Sequence, residues 1–190
     1  FNLMTDDTDQ LAKNLQRVND VMTKTATSAN VTMETMFESF KEFAPVAASI
    51  GIEIEDVSGL IGVLGGNMIK GSQAGTHMKN ILVNLASPSA AASKLMKKMG
   101  VETRDSAGNM ASITSIIGQL SKGLENFGTA DKAAAISEIF GKRAISSASI
   151  LLSKGQAELE KYTKTLYDAE GAAERMAKTM RGSTKNSLKA

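Results

Sequence analysis

An all-α fold is what the sequence predicts: a compact multi-helix bundle of about eight or nine short amphipathic helices. Three observations predict it. Nine segments carry apolar residues at helical spacing, and almost none alternate strictly as strands do. From Gly51 onward no stretch between successive Gly or Pro residues exceeds fifteen residues. The helices are therefore short, and their apolar faces need partners to bury them. Eleven methionines against six Phe, two Tyr and no Trp favour an adaptable core of thin side chains and closely spaced helices.

Taken in order, Asp6, Asp7 and Asp9 crowd the start of the first helix, where carboxylates favour the dipole. Leu11, Leu15, Val18 and Met22 make its apolar face. Residues 23–32 are rich in Ser, Thr and Asn, and a break in the helix is expected there. The next helix presents Met33, Met36, Phe37, Phe40 and Phe43, a stripe that simple core packing accounts for. Pro45 is expected to kink or restart it and Gly51 to stop it.

Val57, Leu60, Ile61 and Leu64 then repeat at helical spacing up to Gly65-Gly66. The chain turns through Asn67 to Gly71 and relaunches a helix with Ala74, Met78, Ile81, Leu82 and Leu85. Gly75 lies in the first turn of that helix, where glycine costs about 1 kcal/mol against alanine, so a neighbour is expected against its bare Cα. Gly65, Gly66, Gly71, Gly75 and Pro88 make up a structural corner on which the remaining helices are expected to be arranged.

Ser87-Pro88 reads as an N-cap and first-turn pair, opening a helix with Ala91, Ala92, Leu95, Met96 and Met99 that Gly100 ends. Residues 101–110 form the most polar connection, with a small hairpin expected around Ala107-Gly108-Asn109. Ile113, Ile116, Ile117, Leu120, Leu124 and Phe127 mark the next helix. Thr129 is expected to cap a helix with Ala133, Ile136, Ile139 and Phe140, closed by Gly141. Ala144, Ile145, Ala148, Leu151 and Leu152 form a face up to Gly155, and Leu159, Tyr162 and Leu166 another up to Gly171. The last segment carries Ala173, Met176, Ala177 and Met180 and trails into Gly182-Ser183-Thr184. Lys178, Arg181, Lys185 and Lys189 make this end basic, as a solvated helix end or as a docking patch for an acidic partner.

At 190 residues the chain fits one domain or two small ones. The net charge of +2 gives no strong field, so neither nucleic-acid nor membrane attraction follows from it. Absence of cysteine excludes disulfides, thiolate chemistry and sulfur-based zinc sites. No run reaches the roughly 18 apolar residues of a membrane-spanning helix. Because it begins with Phe1 and shows no signal-peptide pattern, the chain reads as a piece of a longer protein.

Chemistry finds few candidates. Gly66 to Ser72 resembles a phosphate-binding loop only superficially, because Lys70 precedes Gly71 instead of following the second glycine. The Asp105-Ser106-Ala107-Gly108 run lacks the alternating oxygens and closing glutamate of a calcium loop. His77, the only histidine, has no carboxylate nearby in sequence to orient it for a Ser-His pair, and one histidine is thin for a metal site. Glu53, Glu55 and Asp56 suit an acidic helix start better than a glycosidase pair. The expectation is no catalytic, cofactor-binding or metal-binding residue.

A series of short matches, in order, resembles the core region of phage tail tape measure proteins of the lactococcal-phage type. It begins with Ser28-Ala29-Asn30 and Phe43-Ala44-Pro45, then Glu55-Asp56 with Leu60, Ile61 and Leu64. Ile69-Lys70-Gly71-Ser72-Gln73-Ala74-Gly75-Thr76 and Leu85-Ala86-Ser87-Pro88 follow, then Met99-Gly100-Val101 with Asp105 and Gly108-Asn109. It closes with Ile139-Phe140-Gly141-Lys142-Arg143-Ala144 and Ala169-Glu170-Gly171-Ala172-Ala173-Glu174-Arg175-Met176-Ala177. Residues 28–180 are thus the family-like core, between an N-terminal helix and linker (1–27) and a basic tail (181–190). Glu53 and His77 depart from the family pattern, which puts local packing in doubt.

The resemblance implies a structural virion component that sets tail length, assembles in the host cytoplasm and leaves ahead of the DNA. It implies tail tube, tail-tip and assembly-chaperone partners and self-association. It implies no specific nucleic-acid binding, and membrane contact only in the full-length protein. Two rival classes are a membrane-active helical pore-former and, with fewer residues in its favour, a cell-wall lytic module.

Overall fold

The structure, a computed structural model, describes residues 6–187. Its helices are α1 (Thr8–Ser28), α2 (Met33–Ser49), α3 (Ile54–Gly66), α4 (Gly71–Ala86) and α5 (Ala90–Lys98). After them come α6 (Ile113–Gly123), α7 (Thr129–Phe140), a 3-10 turn (Lys142–Ala144), α8 (Ile145–Tyr167) and α9 (Ala172–Ser187). No strand forms among the described residues, and the expected compact all-α bundle is what the chain makes.

The most extensive helix contacts are α2 with α4, α3 with α8 and α6 with α8. They enclose the main apolar core, in which Phe43, Leu64, Met78, Leu120, Phe140 and Leu151 are buried. A smaller separate cluster of Val21, Ile54, Leu166 and Ala169 joins α1 to α3 and the end of α8.

The starts and stops have local causes. Asp7 caps α1 by accepting the Asp9 and Gln10 N–H groups at 2.9 and 3.1 Å. The expected break after residue 23 is absent, and α1 runs on to Ser28. There the Thr25 and Thr27 hydroxyls donate back to the Val21 and Thr23 carbonyls, which keeps the threonines inside the helix. Thr32 and Thr35 cap α2 reciprocally. Pro45 neither restarts nor ends α2, which continues to Ser49. Gly51 then takes φ +72°, letting Ile52 N–H reach Ala47 O at 3.0 Å and close the helix.

Several expected positions shift. Leu15 and Phe37 are each 56% exposed, not core. Phe37 sits about 100° round α2 from the buried Met36, and the buried residues of α1 are confined to its later half, between Asp20 and Thr25. Ser87 ends α4, and Ser89 caps α5 by accepting the Ala92 N–H at 3.0 Å, so Pro88 precedes the helix instead of opening it. Gly128, in extended backbone, holds the cap position of α7, leaving Thr129 as its first residue with no side-chain cap. The hairpin at 101–110 shrinks to one antiparallel bridge, Arg104 with Met110. The Asp105 carboxylate accepts the Ala107 and Asn109 N–H groups, so a side chain organises the tip of the loop. Gly155 (φ +70°, ψ 168°) breaks α8 into two lengths where the spacing predicted a stop. Residues 182–184 lie within α9 rather than trailing from it, and Lys189 is outside the described residues.

Candidate functional site

The corner residues gather around α4. A Cβ placed on Gly75 would lie 2.7 Å from Ser39 Cα and 2.9 Å from Glu42 Cβ. The neighbour is therefore α2, not the α3 helix to which α4 is joined by the turn. Gly71 (φ +59°) opens α4, and its carbonyl accepts the buried Ser39 hydroxyl at 2.7 Å. Gly65 faces Val31, whereas Gly66 has nothing within 4 Å of a notional Cβ. The left-handed residue that closes α3 is Met68 (φ +66°), not Gly65 or Gly66; Ile69 N–H still reaches Leu64 O at 3.0 Å and completes the cap. Pro88 stands outside this cluster, between α4 and α5.

Sequence reading missed a second close approach, of α3 to the later half of α8. A Cβ on Gly62 would lie 2.7 Å from the Tyr162 hydroxyl, and one on Gly59 3.1 Å from Thr163 Cα. The signal was present in the three-residue spacing of Gly59, Gly62 and Gly65, which puts them along one side of a helix. The Tyr162 hydroxyl in this contact, and the Ser58 hydroxyl of α3, are buried without a protein partner among the described residues.

Charge concentrates elsewhere, where α1, α3, α8 and α9 meet. Arg17 donates from Nε and Nη2 to the two oxygens of Glu55 at 2.7 and 2.6 Å, and from Nη2 to Glu53 at 2.6 Å. Glu55 is only 2% exposed, so this fork neutralises a carboxylate inside the protein. The Glu55 bond, ahead of the Glu53 one, holds the Arg17 guanidinium firmly protonated. Burial pushes the Asp56 carboxyl above its usual range, against the Tyr167 hydroxyl that donates to it at 3.2 Å. Burial, then the Asp56 charge, raises Tyr167 in turn. Asp20, also buried, accepts the Gly171 and Ala173 N–H groups, each at 2.9 Å. A cleft of about 490 Å³ lies over these groups, lined by Lys13, Arg17, Asp20, Glu55, Tyr167 and Glu170 among others. Glu53 and Glu55, considered as a glycosidase pair, share one arginine.

His77 Nδ1 lies 2.7 Å from the Ser147 hydroxyl oxygen, a serine–histidine contact that joins α4 to α8. Ser147 is fully buried, and no carboxylate bonds to His77 among the described residues. Burial lowers the His77 pKa and so favours the neutral ring. The pair thus has a base of reduced strength and an oxygen buried from solvent. Among the described residues no group of three or more His, Asp or Glu side chains is placed to hold a metal ion. None of the described helices is long and apolar enough to cross a membrane.

Comparison with known proteins converges on one class. The phage-related minor tail protein family matches residues 3–141. A tape measure protein of Pneumococcus phage Dp-1 is 34% identical over 163 residues, 86% of this chain and 14% of that protein. A probable tape measure protein of Escherichia phage P2 is 30% identical over 176 residues, 91% of this chain and 22% of that protein. The chain spans 14 to 22% of the length of these relatives. No solved structure matches.

Proposed function

The chain belongs to the phage-related minor tail protein family, and on that premise we propose that it is a structural segment of a tail tape measure protein in the virion. The observation that carries this reading is the similarity to two tape measure proteins over most of its length. On this reading the parent chain occupies the growing tail in the host cytoplasm and nucleates tube assembly with chaperones and tail-tip proteins. It sets tail length and leaves ahead of the DNA. Residues 1–190 act as one helical unit, with residues 28–180 as its family-like core. Of the corner residues, Gly65, Gly71 and Gly75 serve packing, not chemistry, with Gly66 ending α3 and Pro88 leading into α5. The lactococcal-phage subtype is part of the proposal, supported by the ordered motifs around Ile69 to Thr76 and Ile139 to Ala144.

The role is structural, not catalytic. A buried Ser147 and an arginine-neutralised Glu55 support that reading. His77→Ala is expected to leave assembly and infection unchanged, and a block in infection with normal tails would reveal a missed active site. The measuring role is tested by in-frame removal of residues 130–155. Tails are expected to shorten by at most about 40 Å, the helical length of those residues. Unchanged length in otherwise normal tails would place this segment outside the measuring part.

A further inference from the structure

We propose that α9 is a strap latched by Asp20, which opens about Gly171 as a unit of its own while α2 to α8 stay folded, and that α1 controls the opening. Three observations carry this. First, among the described side chains of α9, those of residues 172–181, burial against the bundle is slight. Of residues 172–181 only Ala172 is buried, and Met176 and Met180 are exposed. Among the described residues, the extensive contact of α9 is with α1.

Second, the strongest tie is polar and localised. The Asp20 carboxylate, 3% exposed, takes one N–H on each oxygen, from Gly171 and Ala173, while Ala172 N–H goes to Ala169 O at 2.9 Å. One side chain therefore satisfies two of the donors that a helix start leaves open. Without it those donors face a poorly covered joint, and little else holds the helix down. Third, the joint is built to turn. Helix α8 ends at Tyr167 and Gly171 adopts φ +72°, a conformation glycine enters and leaves without steric cost.

Control runs one way. Helix α1 has other supports, namely the Arg17 fork to Glu55 and Glu53, the Val21 cluster and contacts with α2, α3 and α8. Loss of α9 leaves those intact, whereas displacement of α1 removes both the latch and the surface beneath α9.

Hydrogen exchange on the full chain, read by mass spectrometry, tests this. In the unsubstituted protein α9 is expected to exchange faster than α4 and α6. Asp20→Ala is expected to speed α9 a further ten- to hundredfold, the loss of hydrogen bonds to a charged group, with α4 and α6 unchanged. Asp20→Asn keeps one acceptor oxygen and is expected to fall between. Arg17→Met is expected to speed α1 and α9 together. Unchanged exchange in α9 on Asp20→Ala, or α4 and α6 speeding in step with α9, overturns the proposal. So does wholesale unfolding of both Asp20 variants, which would make Asp20 a support of the entire fold.

Discussion

Where α4 crosses α2, backbone meets backbone; where α9 meets α1, a carboxylate reaches two amide groups across a thin interface. The first contact exists because Gly75 has no side chain, and it sits beside the buried Phe43 and Met78. The second exists because Asp20 carries charge, and it sits at the edge of a small satellite cluster. The two should therefore fail differently. A crossing fixed by shape has no room for added volume and is indifferent to charge, because neighbouring atoms there are already in contact. A joint fixed by hydrogen bonds accepts volume but not loss of its acceptor.

The largest effect that sharpens this contrast is expected from volume at the crossing. Gly75→Leu drives a side chain into the backbone of Ser39, and about 3 kcal/mol of destabilisation is expected, the upper part of the overpacking range. Gly118→Leu meets Gln156, whose amide end has freedom to turn away but whose Cβ moves only with α8, so a loss of about 2 kcal/mol, smaller than at Gly75, is expected. Equal urea midpoints for the two variants would break the distinction between backbone and side-chain contacts.

Charge at the edge comes next. Arg17→Met leaves Glu55 buried without its partner, a loss of about 2 kcal/mol once the solvent reaching the half-exposed arginine is allowed for. Adding Glu55→Met is expected to recover most of it, because the stranded charge goes too. A double variant no more stable than Arg17→Met would mean that the fork contributes shape, not charge balance.

A smaller effect carries a pH signature. Burial raises the Asp56 pKa, so the folded state binds its proton more readily than the unfolded state does. Stability from this group is full below the unfolded pKa and is lost as pH rises through the raised folded value. Asp56→Asn keeps an acceptor for Tyr167 and removes the charge. It is expected to stabilise by about 1 kcal/mol at pH 7, with the gain vanishing near pH 3. A gain independent of pH in thermal melts would assign the effect to packing. Smallest of all, Tyr162→Phe removes a buried hydroxyl without a protein partner, and a change between zero and about 1 kcal/mol in favour of folding is expected. A clear loss would reveal a bond to ordered water.

How much was legible follows the same divide. Val57, Leu60, Ile61 and Leu64 in α3, and Ala74, Met78, Ile81, Leu82 and Leu85 in α4, are all buried as their spacing predicts. Periodicity reports the direction of a side chain along its own helix, and that is all those positions required. It does not report how far a neighbour extends, which is why Leu15 and Phe37 read as core and stand exposed. The threonines of α1 misled because their hydroxyls choose between breaking a helix and bonding back into it, and the surroundings decide. Gly59 and Gly62 advertised a close approach without naming Tyr162 and Thr163 as the neighbours. Arg17 and Asp20 give no local signal in the sequence, since their partners lie 38 and 151 residues away.

That last separation bears on how the molecule is made. With 151 residues between Asp20 and Gly171, synthesis at about 5–20 residues per second leaves α1 waiting roughly 8–30 s before α9 emerges. Helices α2 to α4 are near neighbours in the chain and meet early, and α3 finds α8 later. The Asp20 carboxylate stays in water through all of this and loses its hydration only when α9 leaves the ribosome. On a nascent chain stalled once residue 170 has emerged, α1 is accordingly expected to resist proteases through its Arg17 and Val21 contacts, with the Asp20 carboxylate still hydrated.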